Sequence, residues 1–245
     1  MGRAPTARKM SAKKPSPSNV IDDDTQTLQR FDLLDLQQYT QEKSYATTAS
    51  KDFHLFYVGR DDVHDILKHV LSRVSVSLYL NMFGYDDDEL NDILMKLATD
   101  KTVTMLVTLD KSQAGGVHEK KLLDLDRQKN LALFNTHVVT QTADVREFVI
   151  GQSATHQISH TKGFVADGKV GGEGSTNWSA SGEGIAQLVN GQFNVTGKGY
   201  KAQNNTQSII TDPDTVSRFS AELVREHMIA QKQAAGGGNA SGKKK

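Results

Sequence analysis

Apolar residues recur along the chain with two periods, one near every second residue and one near every third or fourth. Phe53-His54-Leu55-Phe56-Tyr57-Val58 reads as a strand. Val63, Ile66, Leu67, Val70 and Leu71 then share one helical face, with Asp61 and Asp62 at the end where the helix dipole favours carboxylates. Val74, Val76, Leu78 and Leu80 alternate with Ser75, Ser77 and Tyr79, the pattern of a half-buried strand. Asp86-Asp87-Asp88 opens the next helix, which turns Leu90, Ile93, Leu94 and Leu97 inward. The acidic triplet is read as a helix start stabilised by the dipole rather than as a metal site. Val103 to Leu109 is a strand, His118 to Lys129 a weaker helix and Leu131 to Val139 a further strand. Near the C-terminus, Ser208-Ile209-Ile210-Thr211 is a strand. Pro213 then suits the first position of a helix capped by Asp212, with Val216, Phe219 and Leu223 on its apolar face.

Strands alternating with helices predict an α/β sandwich. Their order alone does not separate a mixed sheet from a doubly wound one. Outside this core the pattern fades. Residues 1–50 are polar and basic, with Pro5, Pro15 and Pro17, and are expected to be largely disordered apart from a short helix over Leu28 to Leu36. The folded domain is expected over 51–230, and 231–245 reads as a loose Gly/Lys tail. No internal repeat is visible.

Composition narrows the classes. The chain has 245 residues and no cysteine, so disulfides and thiolate metal sites are excluded. Its formal net charge is zero, which argues against a protein that grips nucleic acid over its whole surface but allows a local positive groove. No apolar run approaches the length of a membrane span, so stable membrane insertion is not expected. The basic start lacks the apolar stretch of a secretory signal, which points to a cytoplasmic protein. The basic start and Lys243-Lys244-Lys245 are read as solvated tails.

The densest chemistry lies between His160 and Asn177. Asp167-Gly168 is a strong two-residue hairpin signal between Gly163-Phe164-Val165-Ala166 and Lys169-Val170-Gly171-Gly172. With those two residues as the loop, Ala166 faces Lys169 and His160 stands opposite Ser175. Side chains two apart on a strand share a face, so His160, Lys162, Ser175 and Asn177 converge in that register. The glycines at 171, 172 and 174 admit close backbone approach and also permit a bulge. A neutral imidazole can attack phosphorus and form a covalent intermediate. Lys162 and the Asn177 amide can hold the non-bridging oxygens, and Ser175 and the Gly174 backbone can add donors. Asp167, at the turn, shapes the hairpin more than it acts on substrate.

These residues resemble the phospholipase D superfamily, whose signature H-x-K-x4-D-x6-G-S-x-N is matched by His160, Lys162, Asp167, Gly174, Ser175 and Asn177. Trp178-Ser179 continues in the same style. The resemblance covers about Phe53 to His227, one catalytic half of that family, and implies a mixed β-sheet flanked by helices. It implies a phosphohistidine on one histidine and proton transfer by a second, with no cofactor and no metal. Only one full motif is present: His118-Glu119-Lys120 is a second H-x-K, but Leu125 stands where the aspartate belongs. The single copy implies a homodimer that brings His160 of each chain to one shared site, as in the family's small bacterial nucleases. The resemblance makes Trp178 and Gly174 candidates for contact with substrate. It also places Gln207 of Asn205-Thr206-Gln207 where the family carries a glutamate that orients a catalytic histidine. The amide can accept a hydrogen bond from the imidazole but cannot offset its charge. The equivalent change in a catalytic triad costs roughly four orders of magnitude in rate. Glu173 and Glu183 are the carboxylates that could substitute.

The function expected from this reading is a metal-independent phosphodiesterase, an endonuclease acting on DNA or RNA. Two alternatives stand beside it: a phospholipid hydrolase or phosphatidyltransferase, and a nucleic-acid-binding module with weakened catalysis. The remaining histidines, His54, His64, His69, His137, His156 and His227, belong to no complete pattern and carry no catalytic expectation. Aromatics of the glycine-rich stretch after the motif, Trp178, Phe193 and Tyr200, suit base stacking and loop packing equally.

Overall fold

The computed structural model describes residues 32–84, 86–110, 146–151, 160–185, 188–189, 192–193 and 202–237. Its strands are β1 (Phe53–Tyr57), β2 (Ser77–Met82), β3 (Thr104–Asp110), β4 (Arg146–Gly151), β5 (Lys162–Ala166), β6 (Val170–Gly174), β7 (Leu188–Val189), β8 (Gln192–Phe193) and β9 (Thr206–Ile210). Its helices are α1 (Val63–Leu71), α2 (Asp88–Thr99), the short α3 (Ala180–Glu183) and the long α4 (Pro213–Gly237). Seven strands form one sheet in the order β1-β9-β6-β5-β2-β3-β4. β2, β3 and β4 run parallel, and every other neighbouring pair in that sheet is antiparallel. The sheet is therefore mixed, which settles the choice that the order of elements left open.

Each face follows from the pleat. Leu78, Leu80 and Met82 of β2, Met105, Val107 and Leu109 of β3, and Phe164 and Ala166 of β5 point to one face. There they join Ile66, Leu67, Val70 and Leu71 of α1 and Leu90, Leu94 and Leu97 of α2 in the main core. The opposite face carries Tyr79, Val165 and Ile210, and α4 covers it with Val216, Phe219 and Leu223. A cap sets each helix start. The Asp62 carboxylate accepts from Asp65 N at 3.1 Å, Asp87 from Leu90 N at 2.7 Å and Asp212 from Thr215 N at 2.8 Å.

Several boundaries differ from the sequence expectation. The 3-10 helix Leu33–Tyr39 overlaps the expected Leu28–Leu36 helix over residues 33–36 and runs three residues further, while residues 28–31 fall outside the described residues. Leu33 and Leu36 are buried in the main core, so ordered structure begins well before residue 51. At the other end α4 continues past residue 231 to Gly237. Strand β2 starts three residues later than the alternation suggested, and Val76 is 57% exposed. The reason is local: the amides of Ser75, Val76 and Ser77 turn toward the Asp167 carboxylate instead of entering the ladder. The expected helix 118–129 and strand 131–139 lie outside the described residues.

The alternating strand directions decide where chemistry collects. The C-terminal ends of β1, β2, β3 and β6 and the N-terminal ends of β5 and β9 emerge at one edge of the sheet. His160, Lys162, Gly174 to Asn177 and Gln207 all belong to that edge.

Candidate active site

The β5–β6 hairpin positions most of the site. Asp167 and Gly168 take the left-handed backbone, with φ of 53° and 65°, as a primed hairpin turn requires. Lys169 N donates to Ala166 O at 3.0 Å. The ladder, however, pairs Ala166 with Val170, so Lys169 is an extra, bulged residue. That corrects the expected register by one. Extending the observed pairs beyond Gly163↔Glu173 sets Lys162 beside Gly174 and His160 beside Thr176, not Ser175. Asp167 lies at the far end of the hairpin from His160. Its carboxylate accepts from Ser75 N, Ser75 Oγ, Val76 N and Ser77 N at 2.8 to 3.2 Å, and its own N–H donates to Ser77 O at 2.7 Å. It clamps the turn to the start of β2.

His160 is exposed at the head of β5. Its ring packs on Phe83, with centroids 4.8 Å apart and planes at 60°. Lys162, two residues on, is only 3% exposed. Its Nζ donates to His160 O at 2.8 Å and lies 5.3 Å from the Phe83 ring centroid. Burial lowers the Lys162 pKa, an effect that the Glu173 carboxylate partly opposes. Phe83 belongs to no motif in the sequence. Its only signal is an apolar residue that outlasts β2 and is followed by Gly84.

Gly174 to Trp178 turns out of β6 against β9. A Cβ at Gly174 would stand 2.1 Å from Thr206 O, so the residue serves the close approach of the two strands. Ser175 N donates to Thr206 O, and Ser175 Oγ accepts from Thr206 N, both at 3.0 Å. The same hydroxyl donates to Asn205 Oδ1 at 3.2 Å, and Thr176 Oγ1 donates to Thr206 O at 3.0 Å. Ser175 thus ties β6 to β9 rather than sharing a pleat face with His160. Asn177 Oδ1 is buried with no hydrogen-bond partner among the described residues. Trp178 is 1% exposed and packs edge-on against Phe164, with centroids 6.0 Å apart. It is a core residue and has no open face for a substrate, which corrects the expectation of contact.

Gln207 pairs with Gly174 across the β6–β9 ladder, on the pleat face that Lys162 shares. It is 1% exposed, and its Nε2 donates to Ser208 O at 3.1 Å. Its Oε1 has no partner among the described residues, so the expected bond from the imidazole is not formed. Neither alternative carboxylate bonds to His160. Glu173 is exposed. Glu183 is fully buried and bonded to His64 Nδ1 at 2.6 Å, with Asp87 Oδ2 3.5 Å from the same nitrogen. Burial, with Asp87 and Asp86 nearby, pushes the Glu183 carboxyl up to about 7 against the lowering effect of His64. For His64, burial favours the neutral ring, but the bond to Glu183 and the charges of Glu183 and Asp87 outweigh it and raise the pKa. On the α4 side, Glu226 accepts from Thr161 Oγ1 at 3.2 Å and from Asn81 Nδ2.

No protein-family model and no curated protein sequence matches the chain. Solved structures similar to it include NucT from Helicobacter pylori, at 12% identity over 71% of this chain and 94% of that one, with a TM-score of 0.49. Phosphatidylserine synthase from Haemophilus influenzae is similar at 8% identity, over 78% of this chain and 43% of that one, with a TM-score of 0.49. Nuc from Salmonella typhimurium, a phospholipase D family member, is similar at 12% identity over 71% of this chain and 92% of that one, with a TM-score of 0.48.

Proposed function

We propose that the chain is a phospholipase D-like phosphodiesterase, an endonuclease that cleaves DNA or RNA through a phosphohistidine on His160 without a catalytic metal. One observation carries the reading. The exposed imidazole of His160 stands beside a nearly buried Lys162 at the sheet edge where the Gly-Ser-x-Asn segment also ends. That combination offers a nucleophile open to a large substrate and a cation in a partly desolvated position, where its attraction for phosphoryl oxygens is strongest.

In the proposed reaction the imidazole lone pair forms a P–N bond as the P–O bond to the leaving strand breaks. The leaving oxygen takes that electron pair and a proton from His160 of a second copy of the chain. The second imidazole then removes a proton from water, which attacks phosphorus and releases His160. Lys162 and the Asn177 amide bear on the non-bridging oxygens. Asp167, Gly174 and Ser175 act by holding the hairpin and the β6–β9 junction in place. Asn177 Oδ1 and Gln207 Oε1 are buried without a hydrogen-bond partner among the described residues, and in this reading they are the acceptors available to an imidazolium or a protonated leaving group. A single motif per chain supports a homodimer as the active form.

The test is cleavage of labelled single- and double-stranded DNA and RNA with excess chelator, beside His160→Ala. Cleavage that His160→Ala abolishes is expected. Release of a labelled headgroup from phospholipid vesicles with no cutting of nucleic acid would move the assignment to lipid. Salt-sensitive binding with no product in any arm would leave a binding module.

A further inference from the structure

His64, Asp87 and Glu183 lie outside the motif, and the phosphodiesterase chemistry does not use them. We propose that these three residues form a structural site for a first-row divalent cation of the zinc class, which staples the segment after Asn177 to the starts of two helices. His64 comes from α1, Asp87 is the N-cap of α2 and Glu183 ends α3. All three are buried, and one donor atom from each lies within 4.8 Å of the others.

The donor orientations suit an ion. The Asp87 carboxylate divides its work: Oδ1 accepts the capping bond from Leu90 N at 2.7 Å, while Oδ2 is turned toward His64 Nδ1 at 3.5 Å. Donors around a tetrahedral zinc at its usual bond lengths stand about 3.4 Å apart, close to that spacing. The 2.6 Å contact between His64 Nδ1 and Glu183 Oε2 is the length of a shared proton. An ion that replaced the proton would open that contact by about 0.8 Å. The other ring nitrogen is also provided for. His64 Nε2 lies 3.6 Å from Glu89 Oε2, and Lys68 Nζ pairs with the same oxygen. A ligating histidine characteristically directs its second N–H to such a carboxylate.

A second observation shows that the cluster is incomplete on its own. Glu183 is fully buried, yet its Oε1 has no hydrogen-bond partner among the described residues. Two carboxylates and one imidazole buried together are costly to keep ionised, and a buried acceptor left without a partner adds to that cost. A divalent ion bound to a neutral imidazole and two carboxylates makes a charge-balanced centre. The mixed nitrogen and oxygen set and the small ligand number fit zinc-class ions rather than calcium or magnesium.

The test uses the full chain, stripped with chelator, dialysed against Zn²⁺ and analysed for bound metal, with Co²⁺ absorption as a second readout. About one equivalent is expected, with a raised melting temperature. His64→Ala and Glu183→Gln should lose it. Asp87→Asn should lose it while keeping the helix cap, which covers the case in which His64→Ala does not fold. Glu89→Gln should weaken uptake about 10- to 100-fold. Stoichiometric uptake by His160→Ala would separate this site from the cleavage chemistry. The proposal is overturned if the parent chain takes up no more zinc than His64→Ala, or if Asp87→Asn and Glu183→Gln both retain a full equivalent.

Discussion

Gly174→Ala isolates what the motif glycine does. The added Cβ would sit 2.1 Å from Thr206 O and 3.0 Å from Gln207 Cα, where ordinary contact begins at 3.4 Å. Both obstacles are backbone, so no side chain can swing away. β6 and β9 must part by about 1.3 Å to bring the carbonyl to ordinary contact distance, which is overpacking of a kind that costs about 1–3 kcal/mol. Three bonds at 3.0 Å cross the same point: Ser175 N to Thr206 O, Thr206 N to Ser175 Oγ, and Thr176 Oγ1 to Thr206 O. Stretched by 1 Å, each passes out of hydrogen-bonding range, at a net cost of about 0.5–1.5 kcal/mol apiece. The total is about 2.5–7.5 kcal/mol. For a domain of this size, that corresponds to a melting temperature lowered by about 5 °C or more. Thermal and urea unfolding of parent and variant measure it. A variant that melts within about 2 °C of the parent would refute the assignment of Gly174 to strand approach and return it to substrate contact.

Asp167→Ala should cost about 2–3 kcal/mol in urea unfolding, because one carboxylate serves four donors from Ser75, Val76 and Ser77. Asp167→Asn, which tolerates the left-handed backbone, should cost less; equal losses would discredit the clamp. Gln207→Glu should raise the single-turnover cleavage rate, by up to about four orders of magnitude if the residue holds the orienting position. An unchanged or lower rate would remove Gln207 from the site. Burial raises the Glu226 pKa above its ordinary value, outweighing the bonds from Thr161 and Asn81. The folded state therefore holds that proton more tightly than the unfolded one, and stability falls as pH rises through the folded pKa. Glu226→Gln should flatten the melting temperature against pH across that range; two parallel curves would show that Glu226 does not set the dependence.

The parts of the fold legible in the sequence are those governed by periodicity and caps. The stripe Val63, Ile66, Leu67, Val70, Leu71 is the buried face of α1, and Asp62, Asp87 and Asp212 cap their helices. What periodicity cannot show is a contact set by tertiary partners. The pattern includes Val76 in a strand, but the Asp167 carboxylate holds the amides around it out of the ladder. Asp167-Gly168 announces the turn, yet the bulged Lys169 shifts the register by one, because turn chemistry does not count the residues that follow it. The sequence leaves Trp178 open between contact with substrate and packing, because its packing on Phe164 depends on a strand it meets only in the folded state. Phe83 under His160, and the meeting of His64 with Glu183, join residues 77 and 119 positions apart, beyond the reach of any local pattern.

The central claim is that His160 carries the phosphoryl group, and rapid-quench trapping reads it most directly. Enzyme mixed with an end-labelled oligonucleotide in excess chelator, quenched under alkaline conditions and digested, should yield one acid-labile phosphoramidate adduct. That adduct should map to the peptide containing His160, form no later than product and be missing from His160→Ala. Cleavage that proceeds with no such adduct, or that survives in His160→Ala, would contradict the account.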